Sequence, residues 1–357
     1  MRKLIVAILM ATGFGSISAC TAAETKVTAP GKQTLGIGDP APPLKVTKWL
    51  QGEEVKEFTP GKVYVVEFWA TWCGPCINAM PHLVELQEEY KKDLVVIGMT
   101  SKDSNGNTKE SVEKFLEKNK AKFTYRFAYS DDRETDKAYM EAAKQDGIPC
   151  SFVVDKAGKV AYIGHPMELD EVLPKVIAGT WKGQDDIDAI GIANNELEEI
   201  NKLAEKKPEE ALPKLLEFEK THASKAKQDM FGVQKMVLLM KAKKFDDAKV
   251  VGEALLAKSV SKKTAMPGAY TGMILADLEL NPDKKHLDLA TKSLDTALQF
   301  DDKNVGLFLA ALELQLTLGN KEKAAEFGKK AVAAGEDDKA KKQIEKIVET
   351  KLKGSEK

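Results

Sequence analysis

The run Glu67-Phe68-Trp69-Ala70-Thr71-Trp72-Cys73-Gly74-Pro75-Cys76 constrains this chain more than any other feature. It follows Val63–Phe68, a β-branched and aromatic segment of strand length. A strand feeding a tight turn there places Cys73 at the first turn of a helix. Free N–H groups and the helix dipole stabilise a thiolate at that position. Cys76, three residues on, shares the helix face and can close a short disulfide with Cys73. A CxxC pair can also be half of a zinc site, but no second ligand pair with metal spacing occurs in the sequence.

Around this motif the pattern alternates between strand and helix as far as about Trp181. Strand-like runs occupy 63–68, 94–99, 123–128, 151–155 and 160–164; helical stretches occupy 74–91, 108–119, 132–145 and 169–178. The turn Lys156-Ala157-Gly158-Lys159 joins the last two strands as a hairpin, which gives an α/β sheet with one antiparallel edge. Past Trp181 there is no Cys or Trp and only four Pro. A polar turn followed by a helix entering on Ala recurs at Ala211, Ala248, Ala290 and Ala324, at spacings of 37, 42 and 34 residues. Such hairpins cannot bury their apolar faces singly and must stack. The region resembles tetratricopeptide-type hairpins without their full consensus; a plain helical bundle is the alternative.

WCGPC after a Val/Phe-rich strand, with Pro81 eight residues beyond Cys73, resembles thioredoxin. The opening Ile37-Gly38-Asp39-Pro40-Ala41-Pro42, the extra segment at about 101–145 and an export signal resemble the extracytoplasmic TlpA/ResA-type thiol–disulfide oxidoreductases. The resemblance implies an α/β thioredoxin-like domain at 35–182, followed by an all-α helical-hairpin domain at 185–353. It implies that Cys73 attacks a substrate disulfide through its thiolate and that Cys76 resolves the mixed disulfide. Gly147-Ile148-Pro149 matches the family's cis-proline loop, which pairs with substrate backbone; Trp72, Gly74, Pro75, Ile148 and Pro149 are thus the expected substrate contacts. No cofactor is implied beyond the Cys73–Cys76 disulfide, and no metal.

In thioredoxins the position of Glu67 holds a buried acid that relays the proton of the second Cys, whereas many TlpA-type proteins are neutral there. Desolvation would raise the carboxyl pKa and suit it to acid–base work near neutrality; the alternative is a carboxylate reaching solvent or a Lys. Cys150 departs from the family. It reads either as a small buried filler or as a third thiol near the active pair. His82 reads as surface, His165 as no catalyst, Trp69 as packing and Trp72 as part of the rim.

Arg2 and Lys3 precede the apolar run Leu4–Met10, which is too short to span a bilayer but suits a secretory signal. Ile17-Ser18-Ala19-Cys20 resembles the bacterial lipobox. It implies removal of residues 1–19, a lipid on Cys20 and a flexible tether over 20–34, hence an extracytoplasmic, membrane-anchored protein. An ordinary signal cut a few residues later would leave Cys20 incidental.

Charge excludes one class of partner. There are 54 basic and 55 acidic side chains, and only Arg2, Arg126 and Arg133 are Arg, so a nucleic-acid role has little to build on. From Asp185 onward 30 Lys face 31 acidic residues, with no single-sign patch. The expected activity is exchange with protein thiols and disulfides, as a reductase. Gly-Pro between the cysteines matches the reducing thioredoxins, near about −270 mV, and a membrane electron donor would have to recharge the pair. The alternatives are a disulfide oxidase or isomerase, and a docking protein whose helices do the work. A peroxidase fits poorly, because CxxC replaces the single peroxidatic Cys.

Overall fold

The computed structural model describes residues 34–335 and 337–354. The expected signal segment, Cys20 and the tether as far as residue 33 lie outside the described residues. Two compact units divide between Asn194 and Asn195.

The first unit is built on six strands: β1 (Lys48–Gln51), β2 (Val63–Phe68), β3 (Leu94–Ser101), β4 (Arg126–Ser130), β5 (Cys150–Val154) and β6 (Val160–Gly164). They lie in the order β1-β4-β3-β2-β5-β6, with β2, β3 and β4 parallel and the other three antiparallel to their neighbours. Every side chain of β2 is buried, as a continuous apolar run in a central parallel strand requires. Its alternation then splits the core. Val63 and Val65 join Val96, Phe127 and Val153 under helices α1 (Gly74–Glu89), α2 (Lys109–Asn119) and, after the short α3 (Glu134–Asp136), α4 (Leu169–Ala178). Tyr64, Val66 and Phe68 face the other way, against Tyr139, Met140 and the segment running from Leu35 to Phe58.

Two elements depart from the sequence expectation. The strand expected at 123–128 forms at Arg126–Ser130, because Gln51 Nε2 donates to the carbonyls of Phe123 (2.6 Å) and Tyr125 (2.9 Å) and takes them out of the ladder. The helix expected at 132–145 is only α3 and a π turn at Lys137–Glu141, whose widened bonds run from Ala142 N–H to the Lys137 carbonyl and from Gln145 N–H to Met140. The wider turn buries Tyr139 and Met140 together against the sheet.

Helix α5 (Gln184–Lys206) starts beside the expected boundary, yet its residues as far as Asn194 belong to the first unit, where Ile187 and Ile190 join the α1-side core. The second unit continues through α6 (Pro208–Thr221), α7 (Ala223–Ala226), α8 (Asp229–Lys241), α9 (Phe245–Lys262), α10 (Met266–Ala276), α11 (Leu287–Phe300), α12 (Val305–Thr317), α13 (Lys321–Ala333) and α14 (Asp338–Gly354). Ala211, Ala248, Ala290 and Ala324 are each the fourth residue of their helix and each 0% exposed. The recurrence in the sequence therefore marks one repeated, fully buried packing position.

Close approach of α10 and α11 depends on Gly272, where a Cβ would stand 2.5 Å from Leu294 Cγ and 3.1 Å from the Ala290 carbonyl. Backbone blocks one side, so repacking alone cannot absorb a larger residue. Gly272→Val is expected to cost about 3 kcal/mol, the upper range for overpacking. The denaturant midpoint followed by far-UV circular dichroism would show it, and an unchanged midpoint would refute the crossing.

Candidate active site

Helix α1 begins at Gly74 with Cys73 as its N-cap, in extended backbone (φ −81°, ψ 93°). Cys73 Sγ accepts the Cys76 N–H at 3.2 Å, so the sulfur sits on the unpaired N–H groups of the first turn. The two cysteines form a disulfide, with Cα atoms 5.3 Å apart. Both are buried, at 3% and 2% exposure, while Trp72 is 48% exposed and Gly74 and Pro75 are also exposed. The sulfurs thus lie beneath a largely apolar rim. The loop before β5 completes it: the Ile148 carbonyl lies 3.8 Å from Cys73 Sγ, Ile148–Pro149 is cis, and both residues are half-buried.

The turn that presents Cys73 is held from the side by a loop after β3. Asn107, 0% exposed, accepts from Thr71 N–H at 2.9 Å and from the Thr71 hydroxyl at 3.0 Å. Its Nδ2 donates to Thr100 Oγ1 (2.8 Å) and to the Ser101 carbonyl (2.7 Å). Thr100 in turn donates to the Trp69 carbonyl at 2.6 Å. Asp103 accepts the Trp72 indole N–H at 2.7 Å through Oδ2, and the Asn105 and Asn107 N–H groups at 2.8 and 3.0 Å through Oδ1. Nothing in the sequence distinguishes these two residues from an ordinary solvated Asn/Gly turn. Asn107→Ala would remove the partner of the half-buried Thr71 N–H and a donor to the buried Ser101 carbonyl. A loss of about 2–4 kcal/mol is expected, measured by denaturation followed through Trp fluorescence; a loss below about 0.5 kcal/mol would show the network to be dispensable.

Glu67 stands on β2 opposite Gly98 of β3 and Ser151 of β5. By alternation with Val63 and Val65 it projects to the α1 side, the side of Cys73 and Cys76. It is 2% exposed, takes a short hydrogen bond from Ser151 Oγ through Oε2, and has no partner for Oε1 among the described residues. Burial pushes its pKa from 4.5 up to about 8, against a smaller lowering by Ser151. The carboxyl is therefore largely neutral at pH 7. Two further buried polar groups on this side, the Tyr125 hydroxyl and Trp69 Nε1, also lack hydrogen-bond partners among the described residues. Burial, and then the charge of Glu67, raise the Tyr125 pKa well above its usual value.

Cys150 is not beside the pair. It faces Phe68 in the register and packs with Phe152 and Val154 on the opposite side of the sheet from Cys73 and Cys76. Of the two readings of Cys150, this alternation speaks against a third thiol beside the disulfide and agrees with a small side chain buried in an apolar cluster. His82 is not plain surface either: it is half-buried, its Nε2 3.2 Å from Asp170 Oδ2. His165 caps the short helix Pro166–Glu168 through the Met167 N–H, and burial lowers its pKa. Trp69 is 3% exposed and packs edge-on to Phe127 at 5.5 Å. Among the described residues no group of three or more His, Cys, Asp or Glu could hold a metal ion.

Comparison with known proteins places these residues in a family. The model of the Redoxin family matches residues 37–175. Protein FixW of Rhizobium leguminosarum is 33% identical over 153 residues, 42% of this chain and 69% of its own length. The thiol–disulfide oxidoreductase ResA of Geobacillus thermodenitrificans is 30% identical over 187 residues, 52% of this chain and 90% of its own. A solution structure of a thioredoxin-like protein in its oxidised form overlaps 40% of this chain and 97% of its own, with 23% identity and a TM-score of 0.35.

Proposed function

The chain belongs to the ResA-type thiol–disulfide oxidoreductases, with a redoxin domain at residues 37–175, and from that premise we propose that it is a membrane-tethered, extracytoplasmic reductase of protein disulfides. The observation that carries this reading is an N-cap sulfur, Cys73, on the same side of the sheet as a buried carboxyl, Glu67, whose pKa of about 8 lets it gain and lose a proton near neutrality.

In the reduced protein the Cys73 thiolate attacks one sulfur of a substrate disulfide. A Cys73–substrate S–S bond forms, the substrate S–S bond breaks, and the departing thiolate takes a proton from solvent. Cys76 then gives its thiol proton to ionised Glu67 and attacks Cys73 Sγ. The internal disulfide forms, and the second substrate sulfur leaves as a thiolate that Glu67 reprotonates. Two electrons pass from the cysteine pair to the substrate.

Gly74-Pro75 between the cysteines supports the reducing direction, since it matches the reducing thioredoxins, at about −270 mV. Return to the dithiol needs an electron-donating membrane protein on the same side. The tether is assigned to a lipid on Cys20.

Alkylation trapping in intact cells tests the direction. The reductase reading expects Cys73 and Cys76 mostly as thiols at steady state; a mostly oxidised pair would make the protein an oxidase.

A further inference from the structure

The geometry points to Asp103 as a specificity-determining residue, one that makes the protein discriminate protein disulfides from small ones by fixing Trp72 as a docking lip. The inference rests on the reading that protein disulfides are the substrates, and it names a residue outside the motif that would select them.

Cys73 is 3% exposed, so a substrate sulfur reaches it only along the rim formed by Trp72, Gly74, Pro75 and Ile148–Pro149. A Cβ at Gly74 or Gly147 would meet nothing within 4 Å, so the two sides of the approach are open to an incoming chain. The one large exposed side chain of the rim is the Trp72 indole, 48% exposed. An exposed indole with no polar partner would sample several rotamers, and ordering it on binding would oppose association. Here its N–H is fixed by Asp103 Oδ2 at 2.7 Å.

Asp103 is itself immobilised, because its other oxygen takes the N–H groups of Asn105 and Asn107, and Asn107 is buried against the Cys73 turn. The lip is thus preorganised from the β3 end of the sheet. An extended polypeptide spanning the rim meets the indole, whereas a small disulfide needs only the sulfur.

The two carboxylate oxygens separate the roles. In Asp103→Asn the amide oxygen can keep both backbone N–H groups, while the amide NH2 faces the indole N–H as donor against donor. The loop stays and the lip is released. Trp72→Phe releases it from the other side, keeping a ring but no N–H.

The test compares reduction of insulin with reduction of oxidised glutathione by the full-length protein, with dithiothreitol as electron source. Asp103→Asn is expected to lower the insulin-to-glutathione ratio of kcat/KM about tenfold, the loss of one charge-assisted hydrogen bond, chiefly through KM for insulin. Trp72→Phe should lower the ratio similarly, and the double variant no further, since both remove one interaction. Equal losses on both substrates would overturn the proposal and reduce Asp103 to a structural role. A wild-type protein that reduces oxidised glutathione but not insulin would overturn the protein-substrate reading itself, and the proposal with it.

Discussion

Cys73→Ser reduces disulfide exchange to the uncatalysed background, whereas Cys76→Ser starts the reaction and cannot finish it. The asymmetry follows from the helix. Cys73 Sγ lies on the free N–H of the first turn, 3.2 Å from Cys76 N, and it adjoins the exposed rim. Cys76 is 2% exposed and lies within the core with Met80 and Leu83. A serine hydroxyl at position 73 is no substitute for a thiolate, which is the reacting species. In Cys76→Ser the mixed disulfide with substrate has no internal thiol to resolve it and accumulates toward one adduct per protein. Non-reducing electrophoresis after incubation with oxidised insulin distinguishes the two. Adducts formed equally by Cys73→Ser and Cys76→Ser would assign the attack wrongly.

Glu67→Gln removes the pH dependence of the resolving step and slows it by about 10²-fold, the lower end for general acid–base catalysis. With a pKa of about 8, the carboxyl accepts the Cys76 proton more readily as pH rises, so wild-type resolution should increase through an inflection near pH 8. The same shift has a stability consequence of defined sign. A carboxyl raised from 4.5 to about 8 binds its proton more tightly folded than unfolded. Its stabilising contribution is complete below about pH 4.5 and is lost as pH rises through 8. Gln carries no such penalty. Glu67→Gln should therefore gain stability over wild type between pH 5 and 9, with a linkage upper bound of roughly 5 kcal/mol. Stopped-flow resolution rates and denaturation at pH 5, 7 and 9 check both halves. An inflection that survives the substitution would place the relay on another group.

Much of this was legible in the chain because it rests on period and motif. Val63–Phe68, the CxxC turn and the hairpin at Gly158 are local signals, and the structure gives them β2, the start of α1 and the β5–β6 turn. The four recurring alanines marked a packing position that all four helices share. The site was less complete. Asp103 and Asn107 act across the sheet end on residues more than thirty positions away, and polar residues in a Gly-containing loop read as solvated whether or not they are. β1 carries no clear strand signal, because it is a four-residue edge strand with no fully buried side chain. Cys150 admits two readings, and strand alternation already separates them. Phe152 and Val154 alternate with it, so it shares their face and not that of Ser151, which meets Glu67.

The account turns on the Cys73–Cys76 pair being a reducing couple. Its midpoint potential in glutathione buffers, followed through the fluorescence of Trp72 and Trp69 beside the disulfide, tests this most directly. A midpoint below about −240 mV is expected. A midpoint above about −180 mV would contradict the account and make the protein an oxidase or isomerase.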